Sequence, residues 1–187
     1  FIAIMFDQID IVNEINEGDI FLRKISKNDV SFFYESLEER DVTGYLSLGP
    51  LRSLNYTKQL IKTYLKSWER YQQFNYIIEL KEAKKINKIG SVSLWNISWR
   101  HKRASIGIWI LPIYWGKGIG KRALKILLNI AIFHLKLNRI EAYVAVENKR
   151  SIELFVNSNF KNEGRLEKYL NFDGKFQDAY IFAYLAG

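Results

Sequence analysis

The sequence predicts an α+β fold in which a single mixed, mostly antiparallel sheet of about six to seven strands carries about four helices on its faces. Three observations point there. Consecutive strand-like runs occupy the middle of the chain, β-helix-β units surround its most apolar helix, and two closing strands meet at Asp173-Gly174, a hairpin signal. At 187 residues the chain suits one domain, and 48% hydrophobic residues, including 12 Phe, 11 Tyr and 5 Trp, suffice for a packed core.

Residues 1–17 read as a mixed leader ahead of a domain spanning 18–187, and FIAI, before Met5, is taken as an upstream remnant outside fold reasoning. GDIFLRKI (18–25) alternates as a first strand, and NDVSFFYESLEER after it has apolar residues at helical spacing. A second helix is expected from about Asn55 to Tyr71, followed by the β-rich run FNYIIEL (74–80). The polar KEAKKINK connects it as a hairpin to IGSVSLW (89–95), and RASIGIWIL (103–111) forms the next strand, stopped by Pro112. From Ile119 to Leu137 the apolar face is so wide that the helix must be buried on most sides. RIEAYVA (139–145) alternates as a strand, and NKRSIELFVNSNF (148–160) is a short amphipathic helix that Asn148 can cap.

With no cysteine, disulfides, thiolate metal sites and a cysteine nucleophile are excluded, and His101 and His134 are too far apart to suggest a metal. No apolar run approaches the roughly 18 residues of a membrane span, and no signal peptide is evident, so the expected location is cytoplasmic. A net charge of +8 suits nucleic acid, an anionic surface or a phosphorylated small molecule without choosing among them.

YWGKGIGKRA (114–123) narrows the choice. A P-loop needs Gly at 115 and a hydroxyl at 122, where this chain has Trp115 and Arg122. Gly118, Gly120 and Ala123 spell GxGxxA, and Glu141 follows Gly120 at a dinucleotide-like distance. However, PIYWGK separates the loop from its strand, and only 67 residues follow Gly120, too few for the rest of a doubly wound sheet. What remains is a glycine-rich helix start, where outward N–H groups favour phosphate. Lys117, Lys121, Arg122 and Lys125 crowd that end, each disfavoured there by about 0.3–1 kcal/mol unless an anion binds. The alternatives are a multiply phosphorylated ligand and a solvated basic helix end.

These residues resemble the GNAT family of N-acetyltransferases, and within it the RimJ/RimL-like branch that acetylates ribosomal-protein N-termini. The family's phosphate motif is matched by Trp115-Gly116-Lys117-Gly118-Ile119-Gly120, in register with GIWIL before it, with RIEA and VxxENKRS after it, and with the closing EGRL and DGKFQDAYIFAYL. The resemblance covers roughly 18–185. It implies acetyl-coenzyme A as donor, with its pyrophosphate on the loop around Trp115 to Lys121. It also implies that the central strands splay into a slot, in which the pantetheine arm runs beside Trp109-Ile110-Leu111 and is met by Asn148 from the far side.

Acetyl transfer needs a neutral amine, a donor to the oxyanion and an acid for the thiolate. The resemblance assigns the oxyanion donor to a main-chain N–H near Ile110 and Leu111. Where many relatives carry a Glu base this chain has Ser105, and where many carry a Tyr acid it has Phe155. Ser151 occupies the position at which the RimL-like branch has a Ser proposed to help the thiolate leave, or it is a first-turn helix residue. Glu141 is either a water-holding or substrate-orienting group, or an ion-pair partner. Without a strong base an α-amine is the better acceptor, since its pKa is near 8 whereas that of lysine is near 10.4.

The leading reading is therefore N-acetylation of a protein or peptide N-terminus. A small amine such as a polyamine or aminoglycoside is open, with an acidic acceptor groove favouring it and an apolar or basic one favouring a peptide end. A catalytically degenerate acetyl-coenzyme A sensor comes next and a nucleic-acid binder last. No membrane partner is expected, and a homodimer is a permitted assembly.

Overall fold

The computed structural model describes residues 9–38, 40–46, 48 and 50–187, so FIAI (1–4) lies outside the described residues. The chain runs β1 (Glu14–Glu17), β2 (Ile20–Lys24), α1 (Val30–Ser36), the single turn α2 (Arg40–Thr43), α3 (Leu54–Glu69), β3 (Phe74–Glu82), β4 (Lys85–Ser98), β5 (Arg103–Ile110), α4 (Ile119–Asn129), β6 (Arg139–Ala145), α5 (Lys149–Asn157), β7 (Lys161–Phe172) and β8 (Lys175–Leu185). One sheet holds all eight strands in the order β1-β2-β3-β4-β5-β6-β8-β7, antiparallel except where β5 meets β6. The α+β class and the mostly antiparallel sheet are those the sequence predicts. The sheet has eight strands instead of six to seven because β1 lies in the leader, where Ile15 is the one apolar residue of EINE. Among the described residues no helix is long and apolar enough to cross a membrane.

Period-two alternation divides the core between two faces. On one, Ile119, Ala123, Leu124 and Leu127 of α4 pack with Ile140, Ala142 and Val144 of β6 and Phe182 of β8. On the other, Phe33 and Leu37 beside α1 and Ile61 of α3 cover Ile25 and Ile77. The long apolar run after Ile119 stays α-helical to Asn129 and then widens into a π-helical turn over Ile130–His134, closed by Leu135 N–H donating to Ile130 O at 2.9 Å. Asp173 and Gly174 both take positive φ, 50° and 83°, as a two-residue hairpin turn requires. KEAKKINK is strand except for a short turn, with Ala83 at φ 51°.

A buried carboxylate fixes the entry to α1. Asp29 is fully buried, receives Ser26 N–H at 2.8 Å in a capping box, and pairs with Arg23 at 2.8 Å and Lys88 at 2.7 Å. Those partners come from β2 and β4, so one side chain ties the helix start to two strands. Burial alone raises its pKa, but hydrogen bonds from Arg23, Lys88 and Ser26 outweigh it and hold the carboxyl well below the usual range.

Asp29→Ala strands Arg23 and Lys88 without their shared carboxylate and should cost about 3–5 kcal/mol in urea unfolding at neutral pH. A depressed folded pKa makes this contribution complete above the ordinary Asp value of about 4 and removes it as pH falls below that value towards the folded one. The stability gap between wild type and variant should therefore narrow only below that pH. A gap that is constant through the acid range would refute the assignment.

Candidate active site

The site begins where two strands part. β5 and β6 pair in parallel over only three rungs, Arg103 with Arg139, Ala104 with Ile140 and Ser105 with Glu141. Beyond Ser105, β5 stays paired with β4 as far as Ile110, and β6 stays paired with β8 as far as Ala145, so a gap opens between their inner edges. This is the slot the resemblance implies. Gly90, opposite Ile110, has no room for a side chain, because a Cβ there would lie 2.2 Å from Trp109 O.

Backbone direction decides which donor faces the gap. Leu111 N–H is engaged by Ile89 O at 2.8 Å. Successive residues of an antiparallel strand turn their polar groups to opposite edges, so Ile110 turns both of its groups to the gap. Its carbonyl accepts Trp115 Nε1–H at 2.7 Å, and its N–H is directed into the slot. Of the two main-chain N–H groups expected near that role, that of Ile110 turns to the gap and that of Leu111 turns to β4. The physical reason is strand parity.

Below the gap lies a cavity of about 400 Å³, bounded by Ile108, Trp109 and Ile110 of β5, by the glycine loop, by Asn148 and by one face of α5. Gly116 and Gly118 sit at φ 74° and 72°, a conformation that side chains rarely adopt, while a Cβ on Gly120 would press on Leu154 at 3.2 Å. Gly118 is the N-cap of α4 and makes no side-chain cap. The first intrahelical bond there runs from Arg122 N–H to Gly118 O at 3.2 Å, so the N–H groups of Ile119, Gly120 and Lys121 remain for a ligand. Trp115 locks the loop through its indole bond to Ile110 and through the Arg150 guanidinium stacked 3.5 Å above its ring.

The cations divide differently from the sequence expectation. Arg122 pairs with Asp19 and Lys125 with Glu17 at 2.6 Å, both on the β1–β2 hairpin, so two of the four already have carboxylate partners. Lys121 lines the cavity, whereas Lys117 does not and lies over the Tyr114 ring at 5.5 Å.

Asn148 caps α5 by accepting Ser151 N–H at 3.1 Å, and both residues line the cavity. Phe155 is buried against Phe160 and Phe182, so the position at which the resemblance implies a Tyr acid is core here. Glu141 lies at the apex, outside the cavity wall, and is 5% exposed. It receives Arg139 Nε–H at 2.6 Å, the Tyr143 hydroxyl at 3.0 Å and Arg103 at 3.5 Å, so both oxygens hold structural partners. Burial first, then the bond to Glu141, pushes the Tyr143 hydroxyl pKa up. Trp109 points to the opposite face, stacked on Phe32 at 5.7 Å, and forms a wall of the slot. His134 pairs with Asp10 at 2.9 Å and His101 is exposed in the β4–β5 turn, both away from the slot.

Residues that the sequence reading passed over are Tyr45, Tyr114, Arg150, Leu154 and Asn157, all on the cavity wall. Arg150, Leu154 and Asn157 follow helical spacing with Ser151, a signal present in the sequence. Tyr45 arrives from a loop distant in sequence and gives no such signal.

Residues 19–161 match the family model described as an acetyltransferase (GNAT) domain. The chain is 30% identical to the N-acetyltransferase p20 of Bacillus licheniformis, over 88% of this chain and 91% of that one. It is 29% identical to the spermidine N(1)-acetyltransferase of Vibrio cholerae, over 86% and 90% of the two chains. In structure it resembles RimJ of Mycobacterium smegmatis, solved with CoA-disulfide, with a TM-score of 0.81 and 22% identity over 89% and 82% of the chains, a likeness of fold.

Gly118→Glu places a carboxylate at the uncapped N–H groups in a backbone conformation unfavourable to side chains. Coenzyme A affinity by calorimetry should fall by about a hundredfold or more through like-charge repulsion at close range. Unfolding should lose only the roughly 1–2 kcal/mol of left-handed strain. Unchanged affinity would mean that the loop is not the phosphate cradle.

Proposed function

The chain belongs to the GNAT acetyltransferase family and is an enzyme that uses acetyl-coenzyme A, and from that premise we propose that its acceptor is the α-amine of a protein or peptide N-terminus. The observation that carries this reading is the cavity wall on the α1 and α3 side. There Val42, Tyr45, Leu46 and Trp109 form an apolar, aromatic surface, and the carboxylate that lines the cavity, Glu153, belongs to α5. An acceptor chain with several positive charges gains nothing from such a wall, whereas a peptide end with one amine does.

The residues fit the donor in this reading. The N–H groups of Ile119, Gly120 and Lys121, together with the Lys121 ammonium, receive a pyrophosphate. Asn148 keeps its amide nitrogen for the pantetheine side, since its oxygen is engaged by Ser151 N–H. Acetyl-coenzyme A would supply the thioester carbonyl carbon that the amine attacks, with the coenzyme A thiolate leaving as the C–S bond breaks. Ile110 N–H lies where it can stabilise the negative charge that develops on the thioester oxygen. Ser151 lines the same cavity, and in this reading its hydroxyl donates to the departing thiolate. Neither Ser105 nor Glu141 offers a free carboxylate to the amine, so the acceptor must arrive with a substantial neutral fraction. About a tenth of an α-amine with pKa near 8 is neutral at pH 7, against well under a thousandth of a lysine amine.

A polyamine acceptor is the second reading, favoured by the 29% identity with the Vibrio cholerae spermidine enzyme.

Mass spectrometry of products from acetyl-coenzyme A with a panel of N-terminal peptides, lysine-containing blocked peptides and spermidine decides between them. Acetylated N-termini with blocked peptides unmodified are expected. Spermidine as the preferred product would overturn the α-amine assignment, and coenzyme A binding without any product would overturn catalysis. For the peptide acceptor, kcat/KM should rise with pH and level off above about 8. Ser151→Ala should lower kcat by about ten- to a thousandfold at unchanged coenzyme A affinity, as expected for loss of one acid or hydrogen-bond donor.

A further inference from the structure

One contact spans the mouth of the slot. Tyr45 follows α2, lines the cavity beside Trp109 and remains 42% exposed. Phe172 ends β7 at the tip of the closing hairpin, which reaches the site through β8 and β6. The two residues therefore stand on opposite sides of the β5–β6 gap. Their rings meet edge to face at 6.4 Å and 89°.

The hairpin is built to carry its tip there. A bulge between Leu166 and Leu170 breaks the β7–β8 register, with Lys168 at φ 51°. Asp178 holds the bulge by accepting Lys168 N–H at 2.8 Å and Arg165 Nε–H at 2.7 Å. Tyr169, within it, stacks on Tyr143 of β6 at 5.0 Å, which anchors the arm beside the slot. Phe172 and the Asp173-Gly174 turn lie beyond that anchor. Each ring of the Tyr45–Phe172 contact keeps part of its surface in water, so the contact encloses space more than it fills a core.

We propose that Tyr45 and Phe172 form an aromatic bridge over the acceptor mouth, selecting amines carried on slender chains and excluding those with a bulky group beside the amine. This rests on the acetyl-transfer reading and names the acceptor shape that reading leaves open. A ring pair limits height without supplying charge, so selection acts on the bulk next to the amine and is indifferent to residues farther along the acceptor.

The test measures kcat/KM for two pairs of short peptides, each pair differing only in the first residue, Ala against Trp in one and Ser against Tyr in the other, so that the α-amines are of similar basicity. The wild type should prefer the slender member of each pair. Tyr45→Ala and Phe172→Ala should each raise the bulky-to-slender ratio by about tenfold or more, the scale of steric discrimination in a pocket. The double variant should add little, because either ring alone removes the bridge. Tyr45→Phe should retain the wild-type ratio. Phe172 lies off the cavity wall, so coenzyme A affinity in Phe172→Ala should stay at the wild-type value and verifies the fold. A wild type that accepts both members equally, or a ratio unmoved in both Ala variants, overturns the bridge while acetyl transfer stands. No turnover with any acceptor despite coenzyme A binding overturns the acetyl-transfer reading, and the bridge with it.

Discussion

Everything at the site depends on the short parallel ladder between β5 and β6. Three rungs join the strands and then pairing stops, which leaves unpaired inner edges in the middle of an eight-stranded sheet. Buried backbone groups without partners cost about 1–3 kcal/mol each, so such a gap must be held open from outside. The outer edges do this: β4 keeps β5 through Ile110, and β8 keeps β6 over its whole length. The apex is closed by charge, with Glu141 bound to Arg139, and Arg139 bound in turn to Glu163. One of the freed carbonyls is satisfied within the protein, because Ile110 O takes the Trp115 indole. The N–H of the same residue is left to a ligand. The carbonyl that anchors the glycine loop and the N–H that faces the gap thus belong to a single residue.

The same economy governs the phosphate end. Four cations near one helix start look from composition like an electrostatic trap, yet Arg122 and Lys125 serve the β1–β2 hairpin. Exposed pairs of this kind contribute little to stability, about 0–1 kcal/mol each. Their consequence is steric and topological: they fasten a short polar edge strand to α4. What remains at the cavity is an uncapped helix end with directed N–H groups and Lys121 beside them, the arrangement that the proposed donor site uses. Geometry therefore outweighs net charge at this site, and the +8 of the whole chain does not describe it.

How much of this was legible depended on whether the signal was local. The strand 139–145 and the Asn148 cap follow from alternation and capping chemistry within a few residues, and both stand where the sequence puts them. β1 was missed because EINE has one apolar side chain and owes its pairing to a partner strand. The apex was missed for a different reason. Arg139 and Glu141 are two residues apart, so their alternation in a strand is readable, but Arg103 and Glu163 join them only through register with β5 and the β7 hairpin. Tyr45 is the extreme case, since its place depends on a loop, a bulge and a turn being right together.

The absence of a free carboxylate at the apex links the fold to the chemistry. Ser105 stands where the family resemblance implies a glutamate, and its hydroxyl is buried with no hydrogen-bond partner among the described residues. A glutamate at that rung would face Glu141 across the ladder, since the two positions are paired. Like charges directly opposite on neighbouring strands destabilise a sheet, and here both would be buried. With Glu141 committed to two arginines and a tyrosine, serine is the small neutral residue that the rung tolerates. The network that holds the slot open therefore excludes a second carboxylate from its floor. In the acceptor reading proposed above, this arrangement suits amines that lose their proton readily.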